Sequence, residues 1–359
     1  MADFAQAGLI STLQRLNDTH IAALEAELCE IAKEKSIGVV LPCHASDLER
    51  PALTHIQAEL ARAEFVSAIV LSVNGIEPAD FERKFGSRFS GRGGVCVLFN
   101  SSGGGKGRNV RQAVQFLCKQ ECDVIATQDC DVGSFHRGDL ARLCYAVAHP
   151  DLRFRYAKAY YSRVTDRMYG RVSRLFLSPL LHAIVRVSGH HPLLDFLLSF
   201  RYPLSGEVAM AREVACDLAF TDGWGLEIGQ LCEVFRRVDP RNVCQVDGGS
   251  SYDHKHQPAA TALVGMVTEI ARELFAQLAV EGLPDNAEYQ AAVAKVYRRE
   301  AEHALRCSAA LARMNALPFD EPGEAAIIEA FAERLFAAST SAGALRSAFS
   351  SDQSVHEEQ

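Results

Sequence analysis

The sequence is short of several things, and each shortage removes a class of protein. It has one tryptophan, and aromatic residues make up only 8% of its 359 residues. No aromatic-rich motif therefore stands beside its arginines, as an RNA-binding module would need. Basic residues are in deficit, 37 against 45 acidic ones, for a net charge of -8. A broad nucleic-acid surface, which must meet phosphates with excess Lys and Arg, is not expected. No apolar run approaches the ~20 residues of a membrane span. The most apolar stretch, Leu175 to Phe200, is broken by Arg186, His190, His191 and Asp195 and punctuated by Pro179 and Pro192. The opening MADFAQAGLISTLQRLND lacks the basic start and apolar centre of a secretory leader. Cys118 and Cys122 have no second spaced pair, so a zinc site is not expected. The eleven cysteines are scattered, mostly in apolar runs. They read as small buried hydrophobes in a reducing, cytoplasmic setting.

What is present is an alternation of strands and helices. Residues 11–34 carry Leu13, Leu16, Ile21, Leu24, Leu28 and Ile31 at helical spacing, which predicts a helix. Short apolar strands follow at 37–42, 67–73, 95–100 and 123–128. Helices are expected between them at 51–63, opened by Pro51, and at about 107–120. This pattern argues for a parallel α/β sheet covered by helices. Ligands then sit beyond the carboxyl ends of the strands. The polar residues there, Cys43 to Asp47, Asn74, Lys106 and Asp129 to Asp131, should converge on one rim. Further on, 154–164 and 242–246 read as strands and 170–187 and 225–238 as helices. From Pro258 the chain is nearly all helix, at about 258–281, 287–312 and 322–338, before a Ser-rich tail over 339–359. The expected domains are an N-terminal helix (1–36), a catalytic α/β domain (37–257) and a helical extension (258–338). The catalytic domain divides into a nucleotide half (37–150) and an acceptor half (151–257).

Five segments carry chemistry. Asp129-Cys130-Asp131 ends an apolar strand, and two carboxylates so placed can hold one hard divalent cation. The alternative is a solvated loop. SSGGGKGRN (101–109) is not a Walker loop, because Gly107 stands where Ser or Thr would hold magnesium. Lys106, Arg108 and Arg111 nevertheless crowd a helix start, where cations oppose the dipole, and that suggests an anionic ligand such as a pyrophosphate. Residues 153–174 hold seven cations and one acid, a net +6; residues 101–119 hold four cations and no acid, a net +4. The rest of the chain must then total -18. The longer basic island suits a phosphorylated or carboxylated acceptor, a solvated helix face, or a nucleic-acid patch. In DGGSSYDHKHQP (247–258), His254 and His256 alternate as a metal ligand pair would, although a surface loop is the commoner meaning. In DGWGLEIG (222–229), glycines flank the tryptophan and Glu227 follows, suggesting a pocket wall.

Taken together, LPCHASDLERPAL (41–53), GGKGRN (104–109), DCD (129–131), GRVSRLF (170–176), PLSGEVAM (203–210), DGWGLEIG and QVDGGSSYDHKHQP (245–258) resemble the glucosyl-3-phosphoglycerate synthase family. These are retaining GT-A glycosyltransferases of family 81. The resemblance runs over residues 37 to 282. It implies a GT-A, Rossmann-like α/β fold with a helical C-terminal extension. It also implies transfer of glucose from a nucleotide sugar to the 2-hydroxyl of 3-phosphoglycerate, helped by Mg2+ or Mn2+. The product would be the precursor of the compatible solute glucosylglycerate.

Residue by residue, the resemblance places Pro42, Cys43, His44 and Ser46 on the uridine and Asn74 on the nucleoside. Lys106 falls on the diphosphate, and Asp129 and Asp131 on the metal motif around Cys130, with Asp131 the direct ligand. His254 matches the metal-binding histidine, with His256 its rival or an acceptor contact. Gly170, Arg171 and Ser173 match the acceptor-phosphate segment. Leu204, Ser205 and Gly206 match a loop by the sugar, and Glu227 the acid beside the glucose. Cys43, His44 and Cys130 depart from the common pattern, which leaves UDP-glucose, GDP-glucose or another nucleotide sugar as donor. The expected assembly is a cytoplasmic homodimer with no nucleic-acid or membrane partner. A mannosylglycerate synthase-like transferase and a nucleotidyltransferase are the alternatives.

Overall fold

The computed structural model describes residues 6, 8–17, 20–89, 95–100, 105–249 and 260–335. The chain divides into two compact units. One takes the described residues of Met1–Thr165 and Ser199–His256, the other those of Asp166–Leu198 and Gln257–Gln359.

The first unit is built on an eight-stranded sheet. Its strands are β1 (Ser11–Leu13), β2 (Ile37–His44), β3 (Ala68–Asn74), β4 (Val95–Asn100), β5 (Val124–Thr127), β6 (Tyr156–Tyr160), β7 (Val208–Ala211) and β8 (Val243–Asp247). Their order across the sheet is β1-β8-β6-β7-β5-β2-β3-β4. β7 runs antiparallel to both β5 and β6, and every other pairing is parallel. The sheet is thus mixed rather than wholly parallel. The central strands are buried on both faces, as strands covered by helices must be. Ile37, Val39, Val40, Val70, Leu71, Ile125 and Ala126 are each fully buried or nearly so.

The strands expected at 37–42, 67–73, 95–100, 123–128, 154–164 and 242–246 are β2, β3, β4, β5, β6 and β8, with ends moved by a few residues. The N-terminal expectation needs correction. Residues 11–34 are not one helix: Ser11–Leu13 is a strand paired with Cys244–Val246, and the helix is Ile21–Ile31. A three-residue strand offers too few positions for alternation to outweigh the helical spacing around it. Its pairing partner lies over 200 residues away.

The second unit is helical. It contains Val172–Leu177, wound as a π-helix, then Ser178–Ser188, Pro192–Leu198, Ala260–Val280, Ala287–Met314 and a last helix over 321–335. Residues 166–198, expected inside the catalytic domain, therefore group with the C-terminal helices. The reason is packing. Tyr297 is fully buried, donates its hydroxyl to the Leu175 carbonyl at 2.7 Å, and sets its ring edge-on against Phe176. Phe331 meets the same Phe176 ring at 5.5 Å.

The cysteine reading also needs one correction. Cys118 pairs with Cys216 as a disulfide, their Cα atoms 6.0 Å apart, a separation that suits the bond. The other nine are free, and six of those are buried.

Candidate active site

The carboxyl ends of β2, β3, β4 and β5 form one rim with the amino end of the antiparallel β7. Pro42, Cys43 and His44 close β2, and Asn74 closes β3 directly opposite His44. Ser46 sits in the tight turn Ala45–Asp47. The His44 ring holds that turn, its Nδ1 2.9 Å from Ser46 Oγ and accepting from the Ser46 amide at 3.2 Å. Gly75, at φ +78°, turns the chain back where a side chain would meet His44 Nε2 at 2.9 Å. Asn100 at the end of β4 donates to Asn109 Oδ1 at 3.2 Å, and Asn109 reaches the Cys43 carbonyl at 3.4 Å. Cys130 is buried and hydrogen-bonded to Cys43; that bond, burial and nearby acids hold its thiol well above the ordinary value. Cys130 thus stays an uncharged packing group between the end of β2 and the Asp129–Asp131 turn.

The helix Lys106–Lys119 begins at this rim with Lys106 as its first residue. Lys106 Nζ lies 2.8 Å from Asp129 Oδ1 and 2.9 Å from Glu227 Oε1. Burial would depress this ammonium, but the two carboxylates and their hydrogen bonds prevail and hold its pKa well above the usual lysine value. The adjacent cations are also answered internally. Arg108 and Arg111 face Asp222 at 3.6 and 3.3 Å.

Glycines bring the two sides together. A Cβ on Gly107 would stand 1.9 Å from the Thr221 carbonyl oxygen, and one on Gly105 would meet Gly223 Cα at 3.1 Å. The absent Walker hydroxyl thus has a structural cause: the helix start is pressed against the turn leading to Gly223–Gly225 and Glu227. A Cβ on Gly206 would fall 2.5 and 2.7 Å from the Asp129 carboxylate oxygens and 2.7 Å from Lys106 Nζ. The 203–207 loop therefore lies directly on the ion cluster.

That loop is bolted to the sheet by side chains of β5, β6 and the loop itself. Lys158, fully buried on β6, donates to the Ser205 carbonyl at 2.7 Å. Ser205 Oγ donates to the Ala159 carbonyl at 2.6 Å, and Thr127 Oγ1 donates to the Gly206 carbonyl at 2.5 Å. Glu207 is buried and accepts from the Tyr161 hydroxyl at 2.7 Å and from Gln128 Nε2 at 3.4 Å. Burial lowers the Lys158 pKa to about 8, against the opposing pull of Glu227 and Glu207. A signal for Lys158 existed: a lysine inside an apolar strand is rarely buried without partners. Glu207 lies inside PLSGEVAM, where no local signal in the sequence marks it as buried.

The long basic island does not hold together. Arg153 and Arg155 precede β6, where they line a cavity of about 890 Å³ with Lys35, Asp123, Arg212 and Asn242, at the amino ends of the parallel strands. Lys158 is inside the sheet. Arg167, Arg171 and Arg174 belong to the helical unit. Leu204 is half-buried on the 203–207 loop, and Trp224 is 39% exposed. Gly170, at φ +71°, precedes Arg171 at the start of the π-helix that contains Ser173. His254 and His256 lie outside the described residues.

The donor set suits a hard divalent cation. Asp129 and Asp131 follow the end of β5, both partly exposed on either side of the buried Cys130 in the chain, and two carboxylates so spaced could share one cation. Among the described residues no group of three or more His, Cys, Asp or Glu side chains converges as a complete cage.

No family model matches the chain. Among curated proteins it is 35% identical over 93% of its length to the glucosyl-3-phosphoglycerate synthase of Persephonella marina, covering 89% of that protein. The chain belongs to the glucosyl-3-phosphoglycerate synthase family. The synthase of Methanococcoides burtonii is 38% identical over a shorter stretch, 43% of this chain and 38% of that one. Among solved structures, the Mycobacterium tuberculosis synthase with Mn2+, UDP-glucose and phosphoglyceric acid matches 78% of this chain and 90% of its own, with TM-score 0.61 and 23% identity. A second structure of that synthase, with Mg2+ and UDP, gives TM-score 0.59 at 24% identity, covering 78% of this chain and 89% of that one. The synthase fold, a GT-A α/β unit accompanied by C-terminal helices, is the fold of this chain.

Proposed function

We propose that the chain is a retaining glucosyltransferase. It moves glucose from a nucleotide-glucose, with UDP-glucose the first candidate, to the 2-hydroxyl of 3-phosphoglycerate, giving glucosyl-3-phosphoglycerate. The observation that carries this reading is the Lys106 ammonium, held between Asp129 and Glu227 at the carboxyl rim of a synthase-family sheet. A pre-set cation there is where a diphosphate leaving group needs positive charge.

Lys106 would exchange carboxylate contacts for diphosphate oxygens and offset the charge that grows on them as the glycosidic bond breaks. Glu227, released from part of its ion pair, would accept hydrogen bonds from glucose hydroxyls and orient the sugar. The Leu204–Gly206 backbone, fixed by Lys158, Thr127 and Ser205 itself, would limit the sugar's positions. Pro42, Cys43, His44, Ser46 and Asn74 would take the nucleoside. Asp131, with His254, would hold Mg2+ or Mn2+, which when bound neutralises diphosphate charge, and Asp129 would stand beside it in the nucleotide-sugar site. Gly170, Arg171 and Ser173 would bind the acceptor phosphate, with His256 a further acceptor contact. The acceptor hydroxyl proton can pass to a leaving phosphate oxygen, so no protein base is required. Orientation and electrostatics would supply most of the rate. The product's place as a compatible-solute precursor, the cytoplasmic setting and the homodimer belong to the same proposal.

The test is a panel of UDP-glucose, GDP-glucose, ADP-glucose and GDP-mannose with 3-phosphoglycerate, read by mass spectrometry. Glucosyl-3-phosphoglycerate with release of a nucleoside diphosphate is expected. Release of pyrophosphate, or transfer of mannose in preference to glucose, overturns the reading. Asp131→Ala should abolish turnover and weaken Mn2+ binding by titration while the chain stays folded; unchanged metal affinity would remove Asp131 from the metal site.

A further inference from the structure

The helical unit holds a buried carboxylate that neither the resemblance nor the reaction explains. Glu324, in the first turn of the helix over 321–335, is only 4% exposed. Its first-turn position favours a negative charge. Both of its oxygens face Arg174: Nη1 donates to Oε2 at 2.5 Å, and Nη2 makes a still shorter bond to Oε1. This is the two-pronged carboxylate–guanidinium pairing that fixes both groups in orientation. Arg174 is further tied by Nε to the Tyr169 carbonyl at 3.1 Å, and its guanidinium lies 6.0 Å from the centre of the Phe319 ring.

Arg171 meets the same carboxylate differently. Only its Nε reaches Glu324 Oε1, at 3.4 Å. A guanidinium has five donors in a fixed planar fork. Holding the Nε edge leaves the two terminal nitrogens as a second edge. No described residue bonds to either Nη of Arg171. The side chain as a whole is 26% exposed, so it is not sealed in the core. Two arginines and one carboxylate leave a net charge of +1. A carboxylate competing with an anionic ligand would take the terminal edge; Glu324 takes the other one.

We infer that Glu324 is a positioning residue for acceptor binding, holding Arg171 by Nε so that its two terminal nitrogens present a fixed fork to one oxyanion of the acceptor. Arg174 serves as the counter-clamp that keeps Glu324 from swinging onto that fork. This rests on the proposed function, which assigns Arg171 to the acceptor phosphate.

The experiment measures initial rates of full-length wild type, Glu324→Gln and Arg174→Lys against 3-phosphoglycerate and nucleotide-glucose in turn. Both substitutions should raise KM for 3-phosphoglycerate by about tenfold, the loss of one charge-assisted hydrogen bond. kcat and KM for nucleotide-glucose should stay near wild type, a split that a merely structural defect would not produce. An unchanged acceptor KM in both variants overturns the assignment. A lowered acceptor KM in E324Q also overturns it, because the carboxylate would then be a competitor. If E324Q loses its cooperative unfolding transition, R174K carries the test. If the wild type transfers nothing to 3-phosphoglycerate, the proposed function fails; if it does and acceptor KM is unmoved, only the role of Glu324 falls.

Discussion

Replacing Gly206 by alanine adds one methyl group and no charge, at a position whose backbone is not in the left-handed region. The alanine backbone is therefore unstrained, and the effect comes from the methyl alone. Its carbon would sit 2.5 and 2.7 Å from the Asp129 oxygens and 2.7 Å from Lys106 Nζ. Ordinary contact is roughly 3.5 Å, so the ion cluster must give way by about 1 Å. The neighbouring Gly206 carbonyl is pinned by Thr127 Oγ1, so the loop resists and the charged side chains move instead. Lys106 and Asp129 are 22% and 16% exposed, a mostly buried pair, so loosening it should cost about 1–3 kcal/mol of stability. The effect on catalysis is read separately. A 1 Å displacement at a site of charge development costs about a hundredfold in rate. The assay is steady-state release of nucleoside diphosphate, beside urea unfolding of the same preparation. A kcat/KM within threefold of wild type, in a variant whose stability shows the methyl was accommodated, would refute the placement of the reaction at the Lys106–Asp129–Glu227 cluster.

Gly107→Ala puts a methyl 1.9 Å from the Thr221 backbone oxygen, which cannot rotate away. It should lose about 1–3 kcal/mol in urea unfolding, the range for overpacking, and a variant as stable as wild type would contradict the packing. Lys158 has a folded pKa of about 8 against an ordinary 10.5, so between those values the unfolded chain binds more protons. Its unfavourable contribution is complete below about pH 8 and is relieved as pH rises toward 10.5. The stability of wild type relative to Lys158→Met should therefore rise across that window, by up to about 3 kcal/mol, in denaturant unfolding at stepped pH. A flat or falling difference would show that the ammonium is not held against burial. Finally, thiol titration in denaturant should find nine free thiols before reduction and eleven after, because only Cys118 and Cys216 are bridged. Eleven before reduction would remove the bridge.

The parts of the fold legible in the sequence were those fixed by neighbours along the chain. β2, β3, β4 and β5 are short apolar runs ended by polar or helix-starting residues, and their carboxyl ends could be collected onto one rim. Asp129, Lys106 and Glu227 could be named as candidates because each follows a local signal: a strand end, a glycine turn, a glycine-flanked aromatic. Their junction could not. It depends on Gly105 and Gly107 packing against residues more than a hundred positions later, a contact with no periodicity to reveal it.

The sequence by itself determined a family, a strand-and-helix alternation and an inventory of charges. Tertiary structure decided what those charges do. Residues 153–174 count as one basic island on paper, yet pleating and packing send Arg155 to an exposed pair with Glu213, Lys158 into the sheet and Arg171 onto Glu324. β1 became a strand because the edge beside β8 was open to it, and β7 runs against its neighbours so that the 203–207 loop returns to the catalytic rim. Side-chain type and spacing are local properties. Burial, pairing and the charge each group finally faces are set by segments remote in the chain, and those exist only once it has folded.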